Sequence, residues 1–420
     1  MKDFSKILSK EVLILLLIFV TAFFVRFYNF SNRVTFGPEQ AISLETSANM
    51  IKDKFSLLGI ENVQRTTSQG LKIFSGALFS YSLIPLLLIF NYQALPISVY
   101  FAVLNIVTGL VFYFLIKRIF GIKIAIFSLI LFLFSSYMIY HSLFIWILNY
   151  LPLIGVLSLF FLYQEKKKFS FRSVFWLGLL SGIGVSLEYL FLPTYFLMLF
   201  LVLYFSKKRL VSFIVFFFSS LIPNLPTIIF DARHSFYNIH VLWLYFLDVL
   251  RYPGISGVSY YDFLQFWPVF AVLAGILITK VWNKNKLLAV ALTAIYLFIN
   301  ISSRLINWKG PTGMPKDLTI SNIYLVASVI KKDNPIKFNV AVINDFDTRG
   351  HILRYPLEFK YNSVPDGVEN YPQAGILYVL ARKDYNFDES NVWEIKAGGR
   401  YKITKLADVG QEYSVFRLEK

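Results

Sequence analysis

The sequence predicts a polytopic α-helical membrane protein with about nine spans, outer interfacial or re-entrant helices and a small C-terminal soluble α/β domain. Three observations lead to this prediction. The 420 residues are 56% hydrophobic and only 16% charged, whereas soluble domains carry about 25% charged residues. Uncharged runs of span length follow one another up to residue 303. Beyond that point the composition changes, with 17 basic and 14 acidic residues.

The spans are placed by the charged residues that interrupt the apolar sequence. A first span covers residues 12–25, and residues 73–116 and 124–164 form uncharged runs of 44 and 41 residues. Since one helical span needs about 20 residues, each of these two runs is long enough for two. Shorter uncharged runs complete the set at 173–187, 189–206, 210–230, 263–279 and 287–303.

Basic residues decide the orientation of these spans. They form five clusters between residues 2 and 286, and all five fall on one side if residues 73–116 hold a single span near 96–116. Up to residue 303, that side carries 16 basic and 3 acidic residues, and the opposite side carries 8 of each. Because basic loops stay in the cytoplasm, we expect a plasma-membrane protein with a cytoplasmic amino terminus. The net charge of +16 follows mostly from this topology and does not indicate a nucleic-acid partner.

Two domains are expected. Residues 1–305 form the membrane domain, with a large outer loop at 31–95, and residues 306–420 form an extracytoplasmic α/β domain. In the loop, spaced apolar residues at 39–55 predict an amphipathic helix on the membrane surface, and residues 74–92 predict a re-entrant or interfacial segment. The last domain is predicted to contain a helix at 320–330 and strands at 338–343, 376–380, 392–395 and 413–418.

The outer loop contains the first candidate for catalysis. Glu39 follows Pro38 at the amino end of the predicted surface helix. The helix dipole favours a carboxylate there, so Glu39 can be explained as a simple helix-start residue. Alternatively, a carboxylate at the membrane surface can act as a general base toward an acceptor hydroxyl.

A second candidate lies where an apolar span ends on the outer side. The sequence Asp231-Ala-Arg233-His234 places an acid, a guanidinium and an imidazole within four positions. Arginine can bind a phosphate through two nitrogens, and histidine can add a donor or carry a proton. An ion pair that ends a helix would use the same residue types, so both readings stay open.

Three further features of the outer side could belong to a site. Glu188 separates two apolar runs, where an ionisable group is costly unless it is paired or wetted. Lys72 precedes the predicted re-entrant segment and could meet a lipid phosphate or anchor the interface. The hairpin at 141–150 carries His141 and Trp146 and could line a sugar site, although aromatic residues are common at membrane interfaces. With no cysteine and four histidines, no metal or other cofactor is assigned.

Together these features resemble the GT-C glycosyltransferases. The resemblance is to the group of dolichyl-phosphate-mannose protein mannosyltransferases and aminoarabinose transferases, including bacterial lipopolysaccharide-sugar transferases, and it covers roughly residues 10–305. The motifs that carry it are Arg26-Phe-Tyr28 and Gly37-Pro38-Glu39-Gln40-Ala41 after the first span, the inner turn Lys117-Arg118-Ile-Phe-Gly121, and Pro226-x-x-x-Phe230-Asp231-x-Arg233-His234.

The resemblance implies an enzyme that transfers a sugar from a polyprenyl-phosphate carrier to an acceptor glycan, lipid or protein on the outer face. Glu39 matches the acid of the first outer loop, which acts as a base or positions the acceptor. The leaving phosphate needs positive charge, for which Arg233 and Lys72 are candidates with His234 behind them. The remaining binding candidates on or near the outer side are Asp231, Glu188 and Arg26.

The sequence also departs from the family pattern. The family usually has Asp, often Asp-Glu, where this chain has Glu39-Gln40. Many members have a second acid in the next outer loop, where residues 141–150 have none. One alternative is therefore a GT-C-like protein that binds lipid or polysaccharide without catalysis. The other is a transporter of lipid-linked sugar, for which paired broken helices in two related halves are expected, and the sequence contains no such repeat.

Overall fold

The computed structural model describes residues 10–53, 55–167, 170–252, 259–333, 335–344, 347–399 and 401–420. Its helices are α1 (Lys10–Phe27), α2 (Phe30–Arg33), α3 (Pro38–Lys52), α4 (Leu78–Ile89), α5 (Ala94–Phe120), α6 (Ile122–Leu133), α7 (Ser136–His141), α8 (Leu151–Lys167), α9 (Phe171–Leu187), α10 (Leu192–Phe205), α11 (Arg209–Leu221), α12 (Leu225–Arg233), α13 (Tyr237–Arg251), α14 (Trp267–Lys284), α15 (Lys286–Ile301), α16 (Ile320–Lys332), α17 (His351–Phe359) and α18 (Trp393–Lys396). Its strands are β1 (Leu58–Thr66), β2 (Lys72–Gly76), β3 (Phe338–Val342), β4 (Ile376–Arg382), β5 (Lys402–Val409) and β6 (Tyr413–Glu419).

Apolar helices occur at the positions where the sequence predicts spans. Among the residues that the structure describes, four segments are long and apolar enough to cross a membrane, namely Ala94–Phe120, Ile147–Gln164, Arg209–Arg233 and Tyr260–Lys284. Shorter apolar helices lie at Leu78–Ile89, Ile122–Leu133, Phe171–Leu187, Tyr189–Phe205 and Lys286–Ile301. The described residues therefore have the character of a multi-pass helical membrane protein, and the total of nine spans stays a prediction.

Two glycines allow helices α9 and α11 to approach each other closely. Gly178 and Gly182 lie four residues apart, on one face of α9. A Cβ atom at Gly178 would lie 2.3 Å from the carbonyl oxygen of Phe216, and one at Gly182 would lie 2.2 Å from that of Ser220. Helix association in lipid depends on such close packing, because lipid tails are as apolar as the helix surface. The close contact between α9 and α11 therefore requires glycine, which has no side chain, at both positions.

The outer loop contains more structure than the sequence predicts. Helix α3 is present, but it packs against α4 and α17, and its residues Ala41, Leu44 and Ala48 are buried within protein. The expected surface-lying helix is thus an internal one. Strands β1 and β2 then form an antiparallel hairpin where interfacial helices are predicted. Two irregularities in the pairing of this hairpin break the alternation of apolar and polar residues by which a strand is recognised.

The carboxyl-terminal residues form a four-stranded sheet in the order β3-β4-β6-β5, in which only β3 and β4 are parallel. Helix α16 and strands β3, β4 and β6 match the predicted segments. The strand predicted at 392–395 is wrong, because the chain turns into helix α18 there. Strand β5 and helix α17 were not predicted. Charged residues along an exposed edge hide the pattern of β5, and Pro356 lies inside α17.

The carboxyl-terminal part packs directly on the outer loop. One continuous hydrophobic core runs from α1 and α3 to the strands β3, β4 and β6. At the edge of this core, the Nδ1 atom of His351 on α17 lies 3.1 Å from Oε2 of Glu45 on α3. About two turns further along α3, Lys52 donates a hydrogen bond of 2.9 Å to Glu358. Helix α17 therefore supports the helix that carries Glu39.

Candidate functional site

A buried guanidinium joins two carboxylates from distant parts of the chain. Arg65 Nη1 donates to Glu188 Oε1 at 3.1 Å, and its Nη2 donates to both carboxylate oxygens of Asp262 at 3.1 Å. The side chain of Arg65 is only 8% exposed, and that of Asp262 is fully buried. We call these three residues the Arg65 cluster. Since buried charges persist only when they are paired, the three residues depend on one another.

Three different elements bring the cluster together. Arg65 lies on β1. Glu188 follows α9 and accepts a hydrogen bond of 3.3 Å from the backbone N–H of Leu190, at the start of a short 3₁₀ turn. Asp262 lies in another 3₁₀ turn before α14 and accepts one of 2.8 Å from the N–H of Ser259. Both carboxylates are thus fixed at the ends of apolar helices.

The charges in the cluster do not cancel. Burial raises the pKa of Glu188, the neighbouring Asp262 raises it further, and Arg65 acts in the opposite direction. Burial also lowers the pKa of Arg65, but the two carboxylates outweigh it and the pKa rises, so the guanidinium stays charged.

In the residues that the structure describes, no group of three or more His, Asp or Glu side chains could hold a metal ion.

Glu39 lies within electrostatic range of this cluster. It occupies the first turn of α3, and its neighbour Gln40 closes that turn by accepting a hydrogen bond of 2.9 Å from the N–H of Gly37. Burial raises the pKa of Glu39, and the positive charge of Arg65 lowers it. Glu39 in turn contributes, after burial, to the raised pKa of Tyr140. Among the sequence-predicted residues, Glu39 and Glu188 therefore share one partner, Arg65.

Aromatic side chains form a wall beside Glu39. The ring of His141 stacks on Trp146 with centroids 5.1 Å apart, and Trp146 meets Tyr261 at 5.0 Å. After burial, Glu39 and Tyr261 each raise the pKa of Tyr140 further, and the N–H of Thr35, four residues before Glu39, donates to the carbonyl oxygen of Leu143 in the hairpin at 3.2 Å. Burial lowers the pKa of His141 to about 3, so its ring is neutral at physiological pH. The hairpin predicted to line a sugar site therefore lies next to the predicted base.

Lys72, Arg233 and His234 lie around one corner of the protein surface. The hydroxyl of Tyr237 donates to the backbone oxygen of Lys72 at 3.2 Å, and the N–H of Tyr237 donates to that of His234 at 3.1 Å. All three side chains are exposed. Lys72 pairs with Glu61 at 2.9 Å, and His234 stacks on Phe230 with centroids 4.0 Å apart. We call Lys72, Arg233 and His234 the basic corner.

Asp231 serves a structural purpose at this corner. Its side chain is buried and accepts hydrogen bonds from the backbone N–H of Asn238 at 2.8 Å and from its side chain at 3.2 Å. These bonds join α12 to α13.

Helix α13 presents an apolar stripe next to the basic corner. Four large side chains at helical spacing are between 53% and 63% exposed, namely Ile239, Trp243, Phe246 and Leu250. The opposite face contains Val241 and Tyr245, which pack on the hairpin near Ile73. Spacing of this kind is typical of a helix that lies on a membrane surface.

Arg26 is placed differently from the other candidates. Its side chain is fully buried, and its Nη2 atom donates to Asn105 Oδ1 at 2.7 Å and to the carbonyl oxygen of Leu133 at 2.8 Å. Its Nη1 atom donates to the carbonyl oxygen of Ala22 at 3.2 Å. These bonds join α1, α5 and α6. The charge of Arg26 is therefore buried because it takes part in the packing of these helices.

The sequence interpretation missed two members of the cluster, Arg65 and Asp262. Asp262 directly precedes an uncharged run, so the argument that singled out Glu188 would also have found it. Arg65 has no comparable signal, because its partners lie 123 and 197 residues away. Only the tertiary structure brings it to these carboxylates.

Comparison with known proteins identifies the fold. No family model matches the sequence, and no curated protein matches it significantly. The structure is similar to apo ArnT from Cupriavidus metallidurans, with a TM-score of 0.62 and 12% identity over 97% of this chain and 98% of that one. ArnT of the same organism bound to undecaprenyl phosphate gives a TM-score of 0.50, with 12% identity over 97% of each chain. The chain therefore has, along nearly its whole length, the fold of ArnT.

Proposed function

We propose that the chain is a GT-C glycosyltransferase that moves a sugar from a polyprenyl-phosphate carrier to an acceptor on the outer face of the membrane. The observation that carries the proposal is the position of Glu39 beside the Arg65 cluster, at the ends of apolar helices in an ArnT-like fold. Part of the proposal is a nine-span topology with a cytoplasmic amino terminus and residues 306–420 outside. The sugar and the acceptor are left open.

The basic corner is the proposed site of the carrier phosphate. ArnT has been solved with undecaprenyl phosphate, a lipid of this class. In this chain, exposed cations stand next to the apolar stripe of α13, an arrangement that suits a charged head group and a long hydrocarbon chain. The pair between Lys72 and Glu61 is exposed, and such pairs contribute about 0–1 kcal/mol, so Lys72 can exchange Glu61 for a phosphate at little cost.

Arg65 is assigned a positioning role. It is buried between two carboxylates, and breaking a pair of this kind costs about 3–5 kcal/mol. If Arg65 left Glu188 or Asp262 in order to bind a phosphate, the protein would lose this amount of stability. Its fixed positive charge acts on Glu39 instead and favours the carboxylate form.

Glu39 is the proposed general base. Its carboxylate accepts the proton of an acceptor hydroxyl while the hydroxyl oxygen forms a bond to the anomeric carbon of the sugar. The bond between that carbon and the phosphate oxygen breaks, and the phosphate keeps the electron pair. The cations of the basic corner stabilise the charge that builds on the phosphate. Burial raises the pKa of Glu39 and so makes it a stronger base than an exposed glutamate.

Sugar transfer in membranes tests this proposal. Wild type, Glu39→Gln and the matched control Glu45→Gln are supplied with a panel of labelled undecaprenyl-phosphate sugars and with cell-envelope acceptors. Glu45 lies on the same helix but pairs with His351. We expect transfer by wild type and by Glu45→Gln, and a loss of about 100-fold or more in Glu39→Gln, the usual contribution of a general base.

Two outcomes would contradict the proposal. If wild type binds a donor lipid but transfers no sugar to any acceptor, the non-catalytic alternative is the better description. If transfer proceeds equally well without the carboxylate of Glu39, the enzyme class stands but the assignment of the base is wrong.

A further inference from the structure

We infer that the carboxyl-terminal sheet domain carries a glycan-binding cleft at Trp393, which takes a neutral oligosaccharide and holds the acceptor. The inference rests on the proposed function in so far as the acceptor is a glycan. The cleft has a volume of about 490 Å³ and is lined by Arg349, Val368, Glu369, Trp393 and Glu394.

The indole of Trp393 is exposed and yet held in place. It is 54% exposed, and it packs against the ring of Tyr371 in a T-shaped contact, with centroids 5.6 Å apart and planes at 80°. Among the described residues after 305, the other strongly exposed large apolar side chains are aliphatic, namely Leu325, Ile336, Val364 and Ile403. A large flat ring that is about half exposed and held by a neighbouring ring offers apolar surface to a ligand.

A buried arginine fixes the segments around the cleft. Arg354 donates to the carbonyl oxygen of Arg349 at 2.8 Å and to that of Asp366 at 2.7 Å. It also donates to the hydroxyl of Tyr371 at 3.1 Å, and that hydroxyl donates to the carbonyl oxygen of Val340 at 2.8 Å. The walls are therefore set before any ligand arrives, which reduces the ordering cost of binding.

The side chains of the cleft select the chemistry of its ligand. Arg349 and Glu369 are exposed, whereas Glu394 is buried and accepts a hydrogen bond of 2.9 Å from Thr348. A guanidinium only donates and a carboxylate only accepts, and a sugar hydroxyl can serve both. The C–H face of a pyranose ring can pack on the indole. Because the cleft carries charges of both signs, it offers no net attraction to an acidic polymer.

The cleft is also close to the helix that carries the proposed base. Arg349 precedes His351 by two residues, and His351 contacts Glu45 on α3. Glu39 lies six residues before Glu45 on the same helix, a rise of about 9 Å. A glycan of several sugars held at Trp393 is thus anchored beside α3.

Binding of defined hexasaccharides to the full chain in nanodiscs tests this inference. The probes are maltohexaose, α-1,6-mannohexaose and cellohexaose, with oligogalacturonate as the acidic competitor. The variants are Trp393→Ala, Glu369→Gln and the control Ile403→Ala, an exposed apolar residue on strand β5 of the same sheet. We expect at least one neutral probe to bind, about tenfold weaker binding in Trp393→Ala, about threefold weaker binding in Glu369→Gln, and no change in the control.

Three results would contradict the proposed glycan-binding role of the cleft. They are a Kd above about 10 mM for all neutral probes, unchanged binding in both Trp393→Ala and Glu369→Gln, and tighter binding of oligogalacturonate than of any neutral probe. Glu369→Gln keeps the test valid if Trp393→Ala does not fold.

The two proposals fail separately. Binding that depends on Trp393 without any sugar transfer by wild type would leave the cleft standing and reject the proposed function. Transfer that depends on Glu39, with normal glycan binding by the Trp393 variant, would do the reverse.

Discussion

Glu39 combines two opposing influences that suit a base. Its partial burial raises its pKa, whereas Arg65 limits the rise. A carboxylate in this position binds a proton more strongly than an exposed glutamate. The raised pKa of Glu39 therefore affects how the rate of transfer depends on pH.

We expect the acid limb of the pH–rate profile to lie above the ordinary pKa of 4.5 for a glutamate. A general base works only when it is deprotonated, so kcat/KM rises with pH through the pKa of Glu39, and a raised pKa moves that rise to higher pH. The measurement is kcat/KM between about pH 4 and pH 8, with Glu45→Gln as the control that keeps the profile. A rate that does not change over this range would contradict the role of Glu39.

Arg65 is predicted to matter for stability as well as for the charge of the site. The variant Arg65→Gln leaves Glu188 and Asp262 buried without their partner, which costs about 3–5 kcal/mol. Adding Asp262→Asn removes one of these charges, so the double variant is expected to be more stable than Arg65→Gln alone. The free energies of unfolding in detergent give the comparison.

The control for this series is Lys52→Gln, which breaks the exposed pair with Glu358. Exposed pairs contribute about 0–1 kcal/mol, so this change should be small. Equal destabilisation by Lys52→Gln and Arg65→Gln would show that burial of the cluster does not have the energetic effect described.

Among the elements, the β1–β2 hairpin positions the site. Its turn is held by α13, since Asp248 accepts hydrogen bonds of 2.8 Å from both the N–H and the hydroxyl of Ser68. These bonds are the main reason why the pKa of Asp248 is lowered. The apolar stripe of α13 and the guanidinium of Arg65 are therefore parts of one supported unit, which links the membrane surface to the site.

The contact between α9 and α11 gives a prediction about helix packing. Gly182→Val places new side-chain atoms against the backbone of Ser220, and overpacking of this kind costs about 1–3 kcal/mol. The control is Gly375→Ala, since no other atom lies within 4 Å of a Cβ at Gly375. Thermal unfolding should show a lower Tm for Gly182→Val only, and equal Tm values would refute the packing argument.

For the whole molecule, the membrane topology can be tested by labelling. The chain has no cysteine, so single cysteines report without background. Lys316→Cys lies before α16 and Lys123→Cys lies near the start of α6, and both positions are exposed. In intact cells or oriented vesicles, an impermeant maleimide should label residue 316 from outside and residue 123 only after permeabilisation. Labelling of both from one side would reject the topology.

The carboxyl-terminal part helps to hold the helix that carries Glu39. Because one hydrophobic core runs from the outer loop into the sheet and includes residues of α17, the position of helix α3 depends on apolar packing with residues more than 300 positions away. Changes in the sheet can therefore affect transfer without touching the membrane helices.

The sequence by itself determined the class of molecule, the positions of the apolar helices and Glu39 as the leading candidate. These features are local, because hydropathy, charge clusters and a proline at a helix start are read from neighbouring residues. Only the tertiary structure showed that Arg65 joins Glu188 to Asp262, that Asp231 joins α12 to α13 and that Arg26 ties three helices together. The reason is physical: a buried charge is stable only beside its partners, and those partners lie far away along the chain.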